Sequence, residues 1–290
     1  MNANSLATYT AHRDRLFGVA YRMTGRVCDA NDICQETWLR WDAVDPATVE
    51  NPEAYLVRIT TRLALDRAHS AAARRESYVG PYLPEPVCEV TRNDPGEAAE
   101  LADSMTFAFL VILDELKPIE RAVFLLHDVF GYSFDEIASS VDRTPASCRQ
   151  IASRTRKRVH RSGEMYRRPT KEHQTNVITQ MIGHTLSGDI GALMTLLAPD
   201  VVQLDDAGPN RRAARNPIVG ADRVARFEVN LAKRIVPQGT VEFIEVNGNV
   251  GLIFRVDGSP DMVMTFAWSL DGLVKRVFVQ MNPEKLGHLL

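Results

Sequence analysis

Residues 133–161, SFDEIASSVDRTPASCRQIASRTRKRVHR, restrict the fold of this chain more than any other stretch. Ile137, Ala138 and Val141 recur at helical spacing and give a short first helix an apolar face. Asp142 and Arg143 turn the chain. Thr144 can cap a second helix, and Pro145 stands at its first position, where a missing N–H costs nothing. That second helix pairs an apolar stripe (Ala146, Ile151 or Ala152, Thr155, Val159) with Arg149, Arg154, Arg156, Lys157, Arg158 and Arg161. A helix-turn-helix needs this division, one face for packing and the other for base edges and phosphates. Residues 142–171 hold ten Lys or Arg against two acids, and a solvated basic face is the plainer alternative.

Whole-chain charge hides this pattern. The formal net charge of the 290 residues is −3, yet residues 58–75 hold five Arg and one acid, while 85–136 hold three basic residues against twelve acids. Basic segments flank an acidic middle, and a phosphate feels the local field. With 45% hydrophobic residues the chain can build two or three domains. Cys28, Cys34, Cys88 and Cys148 lie far apart, which argues against a disulfide framework or zinc site and fits a reducing cytosol; Cys28 and Cys148 are expected as small packing residues. The N-terminus has no apolar signal core, and no apolar run approaches the roughly 20 residues that span a bilayer, so a soluble, cytoplasmic protein without membrane contact is expected. No motif calls for a metal or cofactor.

Leu16, Val19, Ala20 and Met23 mark a first helix closed by Gly25. A second helix, from Asp29, sets Ile33, Thr37 and Trp41 on one face and Asp29, Asp32, Gln35 and Glu36 on another, either a solvated stripe or a partner surface. After a loop over 42–51, a third helix opens at Pro52, with Tyr55 near its start, Leu56, Ile59 and Leu63 along one side, and Arg58, Thr61, Arg62 and Arg67 on the others. A basic helix behind an aromatic and a loop can hold splayed single-stranded bases. Residues 80–87 are too proline-rich for helix or central strand, although Tyr82-Leu83 is apolar for a spacer; Asp94-Pro95-Gly96 closes the linker. Leu101, Met105, Phe109, Ile112, Leu113 and Leu116, then Val123, Phe124 and Leu126, form two scaffold helices for the helix-turn-helix.

The order D-A-N-D-I-C-Q-E-T-W-L (29–39), P-E-A-Y-L-V-R-I-T-T-R-L-A-L-D (52–66), acidic spacer and helix-turn-helix resembles regions 2 and 4 of bacterial extracytoplasmic-function sigma factors over residues 10–165. The resemblance implies promoter recognition and melting on core RNA polymerase, with contacts to the clamp coiled coil of the largest subunit and to the flap. Asp29, Asp32, Gln35 and Glu36 would meet the clamp, although Asn31 replaces a common Glu there. Residues 42–51 with Tyr55, Arg58, Thr61 and Arg62 would capture the minus-ten element. Ser147, Arg149, Gln150, Ser153, Arg154, Arg156 and Arg158 would read the minus-thirty-five element. Arg149 and Gln150 are expected toward bases, and Arg154, Arg156 and Arg158 toward phosphates.

About 120 further residues follow Arg168. Helical patterns (Val177, Met181, Ile182, Leu186; then to Leu197) precede a strand over 199–206, a helix over 221–234, and strands over 240–246, 249–256, 262–269 and 274–282, with Asn247-Gly248 and Asp271-Gly272 as turns. This α+β cone resembles the SnoaL-like, ketosteroid-isomerase-type fold carried by a subgroup of these sigma factors. Tyr82, Leu83 and Pro84 are similar to that subgroup's linker motif, and Asn282, Pro283, Lys285 and Leu286 to its tail motif. Where a glycine-rich D-G-G-G-K motif is usual, this chain has Asp206-Ala-Gly-Pro-Asn210 before Arg211-Arg212. Asp205, Asp206, Glu242, Glu245 and His184 are acid–base candidates expected mostly to face solvent, and with no tyrosine after Tyr166 no base–donor set converges. The expected architecture is thus a multidomain chain, not an enzyme: two all-α sigma domains, region 2 a three- or four-helix bundle (1–80) and region 4 a helix-turn-helix (97–168), joined by a Pro-rich linker (81–96) and followed by an α+β SnoaL-like cone (172–290) that modulates activity in cis and has room for a small ligand. The alternatives are a helix-turn-helix regulator that never engages polymerase, or a fused SnoaL-like isomerase or cyclase.

Overall fold

The computed structural model describes residues 3–75, 78, 80–88, 106–163, 166, 168–209 and 211–289. Leu101 and Met105 of the expected stripe, residues 94–96 of the linker, Asn210, and the side chains of Arg74 and Arg75 lie outside what is described. The chain forms two compact units, one of residues 1–77 with 112–162, the other of 78–111 with 163–290.

In the first unit, α1 (Ala3–Thr24), α2 (Val27–Asp42) and α3 (Pro52–Arg75) make a three-helix bundle. Leu16, Val19, Ala20 and Met23 are all buried, as their spacing requires, and so are Ile33 and Trp41 of α2 and Leu56 of α3. Buried polar groups find partners: Trp41 Nε1 donates to the Ser5 carbonyl at 2.9 Å, and the Thr37 and Thr60 hydroxyls meet at 3.1 Å. Asn51 caps α3 by accepting from the Ala54 N–H at 3.0 Å, with Pro52 at the first position. Cys28 departs from expectation: it is exposed, and the buried cysteine of α2 is Cys34, whose thiol burial pushes up to about 12.

The remainder of this unit is α5 (Pro118–Phe124), extended by a π turn over Leu125–Val129, then α6 (Phe134–Val141) and α7 (Pro145–Gly163). The helix before them, α4 (Phe107–Asp114), divides its residues between the units. Ser133 and Glu136 form a capping box at α6, and the carboxyl of Glu136 is lowered by the bonds it accepts from the Ser133 side chain and backbone. Asp142 ends α6 in the left-handed region at φ 53°. Thr144 then caps α7 by accepting from the Ser147 N–H at 3.2 Å. The packing stripe of α7 is Cys148, Ala152, Thr155 and Val159; Ala146, expected in it, is exposed. Cys148 holds the place because positions 148, 152, 155 and 159 keep the i, i+4, i+7 period that Ala146 breaks.

The second unit is a six-stranded sheet of order β2-β1-β6-β5-β4-β3. Its strands are β1 (Leu197–Asp206), β2 (Ile218–Val219), β3 (Thr240–Val246), β4 (Asn249–Val256), β5 (Ser259–Trp268) and β6 (Val274–Gln280). Only β1 and β6 run parallel; the other pairs are antiparallel. Asn247-Gly248 turns β3 into β4 with both φ angles positive, as expected. Asp257-Gly258 does the same between β4 and β5. Helices α8 (Lys171–Ser187), α9 (Ile190–Thr195) and α10 (Ala221–Ile235) cover one face, burying Ile178, Leu193, Val224 and Val229 against Phe254, Phe266, Trp268 and Val277. The opposite face carries Ile253, Val263, Ala267 and Phe278, and onto it pack Leu83, Cys88, Phe107, Leu286 and Leu289. Burial of each such side chain stabilises the unit by roughly 1.5–3 kcal/mol. Among the described residues no helix is long and apolar enough to cross a membrane.

Candidate nucleic-acid interface

Helix α7 presents Arg149, Gln150, Ser153 and Arg154 to solvent, opposite its packing stripe. The Arg149 guanidinium lies 5.6 Å from the Phe134 ring centre, which leans it across the two-helix unit. Ser147, half-buried, is engaged through its N–H in the cap. Arg156 and Arg158 are spent within the unit. Arg156 Nε donates to Asp128 at 2.6 Å, and Arg158 donates to the Glu115 carbonyl at 2.7 Å with Glu120 3.7 Å away. These two fix α7 on its scaffold, while Arg154 and Lys157 are exposed.

On α3, Tyr55 leans on Trp41 with ring centres 5.8 Å apart, and the Arg58 guanidinium sits 5.0 Å over the Tyr55 ring. Arg62 is exposed and donates to the Ser139 carbonyl at 2.8 Å. Thr61 is fully buried, because position 61 faces the bundle, and so it cannot touch a ligand as a surface residue would. On α2, Asp32, Gln35 and Glu36 are exposed, Glu36 paired with Arg40 at 2.6 Å. Asp29 is turned inward instead: it is buried and takes the Arg67 guanidinium at 3.0 Å. The sequence stripe thus loses Asp29 to the bundle, since an isolated carboxylate at that depth needs a cation.

In the second unit the linker and tail residues meet around one carboxylate. Asp206 accepts from the Leu83 N–H at 2.8 Å, from Lys285 Nζ at 2.7 Å, and from the Tyr78 hydroxyl. Lys285 Nζ also donates to the Leu83 carbonyl at 2.6 Å and lies 3.2 Å from the centre of the Tyr82 ring. Gln280 Nε2 reaches the Pro84 carbonyl at 3.1 Å, Asn282 Nδ2 donates to Tyr78 at 3.0 Å, and His288 bonds the Pro86 carbonyl at 2.7 Å. Burial, then the bond to Asp206, pushes the Tyr78 hydroxyl far up, so it remains a donor. Tyr82, Leu83, Pro84, Asn282, Lys285 and Leu286, likened in sequence to separate linker and tail motifs, come together here, with Pro283 opening the short turn Pro283–Lys285. The loop that replaces the glycine-rich motif keeps one indispensable glycine. Gly208 has φ 69°, and an added Cβ would stand 2.8 Å from the Asn282 amide.

Two of the acids expected to face solvent do not. Asp205 and Asp206 are buried, because β1 lies between β2 and β6 with both faces covered. Asp205 takes Gln203 Nε2 at 3.0 Å on the helix-covered side. Nearby Glu228 of α10 has its Oε1 closed off from solvent. Its carboxyl is pushed up to about 7 by burial, eased by a bond to Gln203 and reinforced by the Asp205 charge.

Residues 8–74 match the family model of Sigma-70 region 2, and residues 106–159 that of Sigma-70, region 4. Over 289 residues the chain is 36% identical to the ECF RNA polymerase sigma factor SigJ of Mycobacterium tuberculosis (strain ATCC 25618 / H37Rv), covering 97% of this chain and 92% of that one. The chain belongs to the ECF RNA polymerase sigma factors.

A second relative, the probable ECF RNA polymerase sigma factor SigI of the same organism, is 32% identical over 225 residues, covering 75% of this chain and 73% of its own. The crystal structure of SigJ superimposes with a TM-score of 0.76 at 33% identity, covering 97% of this chain and 98% of that one. As a sigma factor the chain serves transcription initiation with RNA polymerase and promoter DNA and is itself not a catalyst. The α+β C-terminal part extends the likeness to SigJ beyond the two sigma regions. Sequence reasoning missed Tyr78, Gln280 and His288 in the linker–tail cluster, and Asp206 as its centre. Only the position of Asp206, at the head of the altered glycine-rich motif, could have pointed there.

Proposed function

We propose that this sigma factor acts in the cytoplasm and docks on the clamp coiled coil of core RNA polymerase through Asp32, Gln35 and Glu36, with Asp29 holding Arg67 behind them and region 4 meeting the flap. Residues 42–51 with Tyr55, Arg58 and Arg62 capture the minus-ten element, where an unstacked base needs a pocket backed by cations. Arg149, Gln150 and Ser153 read the minus-thirty-five element in the major groove, Arg154 holds its phosphates, and Ser147, Arg156 and Arg158 set the pose of that helix. The functional division is region 2 within 1–80, the linker 81–96, region 4 within 97–168 and a SnoaL-like regulatory domain over 172–290. Cluster and tail set the path of the linker, so the C-terminal domain modulates initiation in cis.

The observation that carries this reading is the exposed Asp32, Gln35 and Glu36 stripe on a helix whose other face is locked into the bundle, a surface that a plain repressor does not need. Co-elution of the full chain with bacterial core RNA polymerase tests it: wild type should co-elute, and Asp32→Lys with Glu36→Lys should not. Separate elution of the wild type would overturn the reading in favour of a helix-turn-helix regulator. Truncation after residue 170 is a poorer test, since it would uncover Leu83, Cys88 and Phe107. Removing residues from Asn282 onward should change promoter activity, and unchanged activity would count against regulation through the tail.

A further inference from the structure

Helix α10 gives one face to the sheet and the other to solvent. Ala221, Val224, Ala225 and Val229 are buried, while Asp222, Arg223, Arg226, Asn230, Lys233 and Arg234 are exposed. At 3.6 residues per turn the six exposed positions fall within an arc of about 120°, and Arg223 and Arg234 stand about 16 Å apart along the axis. Arg226 answers Asp222, its Nε 2.8 and 3.0 Å from the two carboxylate oxygens. The other acid of the helix, Glu228, lies on the sheet side near Gln203 and Asp205, with its Oε1 closed off from solvent. Arg223, Lys233 and Arg234 carry charge that no acid answers: among the described residues their side chains make no hydrogen bond or ion pair.

Positive charge is concentrated here. Residues 172–290 hold eleven Lys or Arg, and seven of them fall in 211–234 against two acids. Other cations of this unit are matched: Lys171 with Glu245, Arg211 with Asp261, Arg255 with Glu242, Lys275 with Asp200 and Lys285 with Asp206. Lys233 and Arg234 by themselves would only compensate the C-terminal end of the helix. Arg223, however, stands in the first turn, where the helix dipole disfavours a cation. Three unanswered cations on one face form a local positive field that an anion would relieve. The chemistry of the face also selects the anion. It presents no exposed aliphatic or aromatic side chain to anchor a protein partner, and no aromatic platform on which the bases of a single strand could stack. Duplex DNA carries one charge per about 1.7 Å of its axis, so a 16 Å stripe meets several phosphates. Promoter DNA is already what a sigma factor works on. We propose that the exposed face of α10 binds the phosphate backbone of duplex DNA without reading its sequence, so that the C-terminal domain grips DNA itself. This grip needs none of the contacts assigned to regions 2 and 4.

The test uses the full chain and a short duplex without promoter sequence, with affinity read by fluorescence anisotropy over a range of salt. Replacing Arg223, Lys233 and Arg234 together by Ala should reduce the slope of log affinity against log salt by about 2 to 3, since each phosphate contact contributes about 0.9. Arg223→Lys with Arg234→Lys should preserve the slope, because the grip uses charge and not a fixed fork of donors. All three side chains are exposed, so circular dichroism should be the same for both variants and the wild type. A slope unchanged by the triple substitution would overturn the grip and leave α10 a solvated face. Failure of the wild type to bind the duplex at low salt would overturn it too. A photocrosslinker at Asn230→Cys, with Cys28→Ser removing the exposed native thiol, then locates the partner in a complex of the full chain with core RNA polymerase and promoter DNA. Crosslinks to DNA are expected, whereas crosslinks to polymerase or RNA alone would overturn the assignment to duplex. If no polymerase complex forms, the functional reading falls, and the salt slope of the free chain still decides the grip on DNA.

Discussion

Replacing Lys285 by Met should release the linker from the sheet unit. The Lys285 and Asp206 side chains are 4% and 0% exposed, so removing the cation strands a carboxylate away from water. Breaking a buried pair typically costs about 3–5 kcal/mol. Here Asp206 keeps the Leu83 N–H, the Tyr78 hydroxyl and the Gly208 N–H at 3.2 Å, which favours the lower end. Loss of the ammonium over the Tyr82 ring adds about 1 kcal/mol. A local cost of about 3–4 kcal/mol is two to three decades in an opening equilibrium. Hydrogen exchange at the Leu83 amide should therefore speed up about 100-fold or more, and that of Val87, which bonds Asn247 at 3.1 Å, should follow. Amides in the middle of α8 should change far less, because the opening is local. Asp206→Asn alone should do comparable damage by stranding the ammonium, and the double variant should recover about 2 kcal/mol relative to the sum of the singles. Acceleration of less than about 10-fold at Leu83, or additive single effects, would refute the argument that this ion pair holds the linker.

Two other outcomes follow from the geometry. The Glu228 carboxyl, followed by NMR with Glu228→Gln as the assignment control, should titrate near 7. Since its folded value lies above the unfolded one, the native state binds the extra proton, and stability should fall by about 3 kcal/mol as pH rises from about 4.5 through 7, a slope the Gln variant lacks. Arg154→Ala should weaken binding to short duplexes about equally across sequences and reduce the slope of log affinity against log salt by about 0.9, whereas Arg156→Ala, already paired with Asp128, should leave that slope nearly unchanged. Equal slopes for both variants would refute that division.

What could be read without a structure was local. Asn51-Pro52, Ser133 with Glu136, Thr144-Pro145 and Asn247-Gly248 act through bonds or dihedrals within three residues, so their meaning is fixed wherever they fold. The apolar period on α1 and the boundaries of β3 and β4 follow for the same reason. Which polar residues face inward could not be read in this way. Asp29 and Asp32 look alike in sequence and both approach Arg67, at 3.0 and 3.7 Å, yet Asp29 is buried in the bundle and Asp32 is exposed. Arg154 and Arg156 look alike on α7, yet Asp128 lies under only the second. In sequence Asp206 is an ordinary strand-end acid; in the fold β6 returns alongside β1 and delivers Lys285 from 79 residues away. Motif resemblance brought Tyr82, Leu83, Asn282 and Lys285 into view as a set, but the carboxylate that joins them is visible only in the fold. Packing of α6 over α3 has no sequence signal either, since it depends on Tyr132 and Ser139 reaching Glu53 and Arg62 across 79 and 77 residues. The sequence by itself determined the elements, their caps and the family; long-range pairing decided burial, charge partners and which face is open, because those depend on distances that no local pattern encodes.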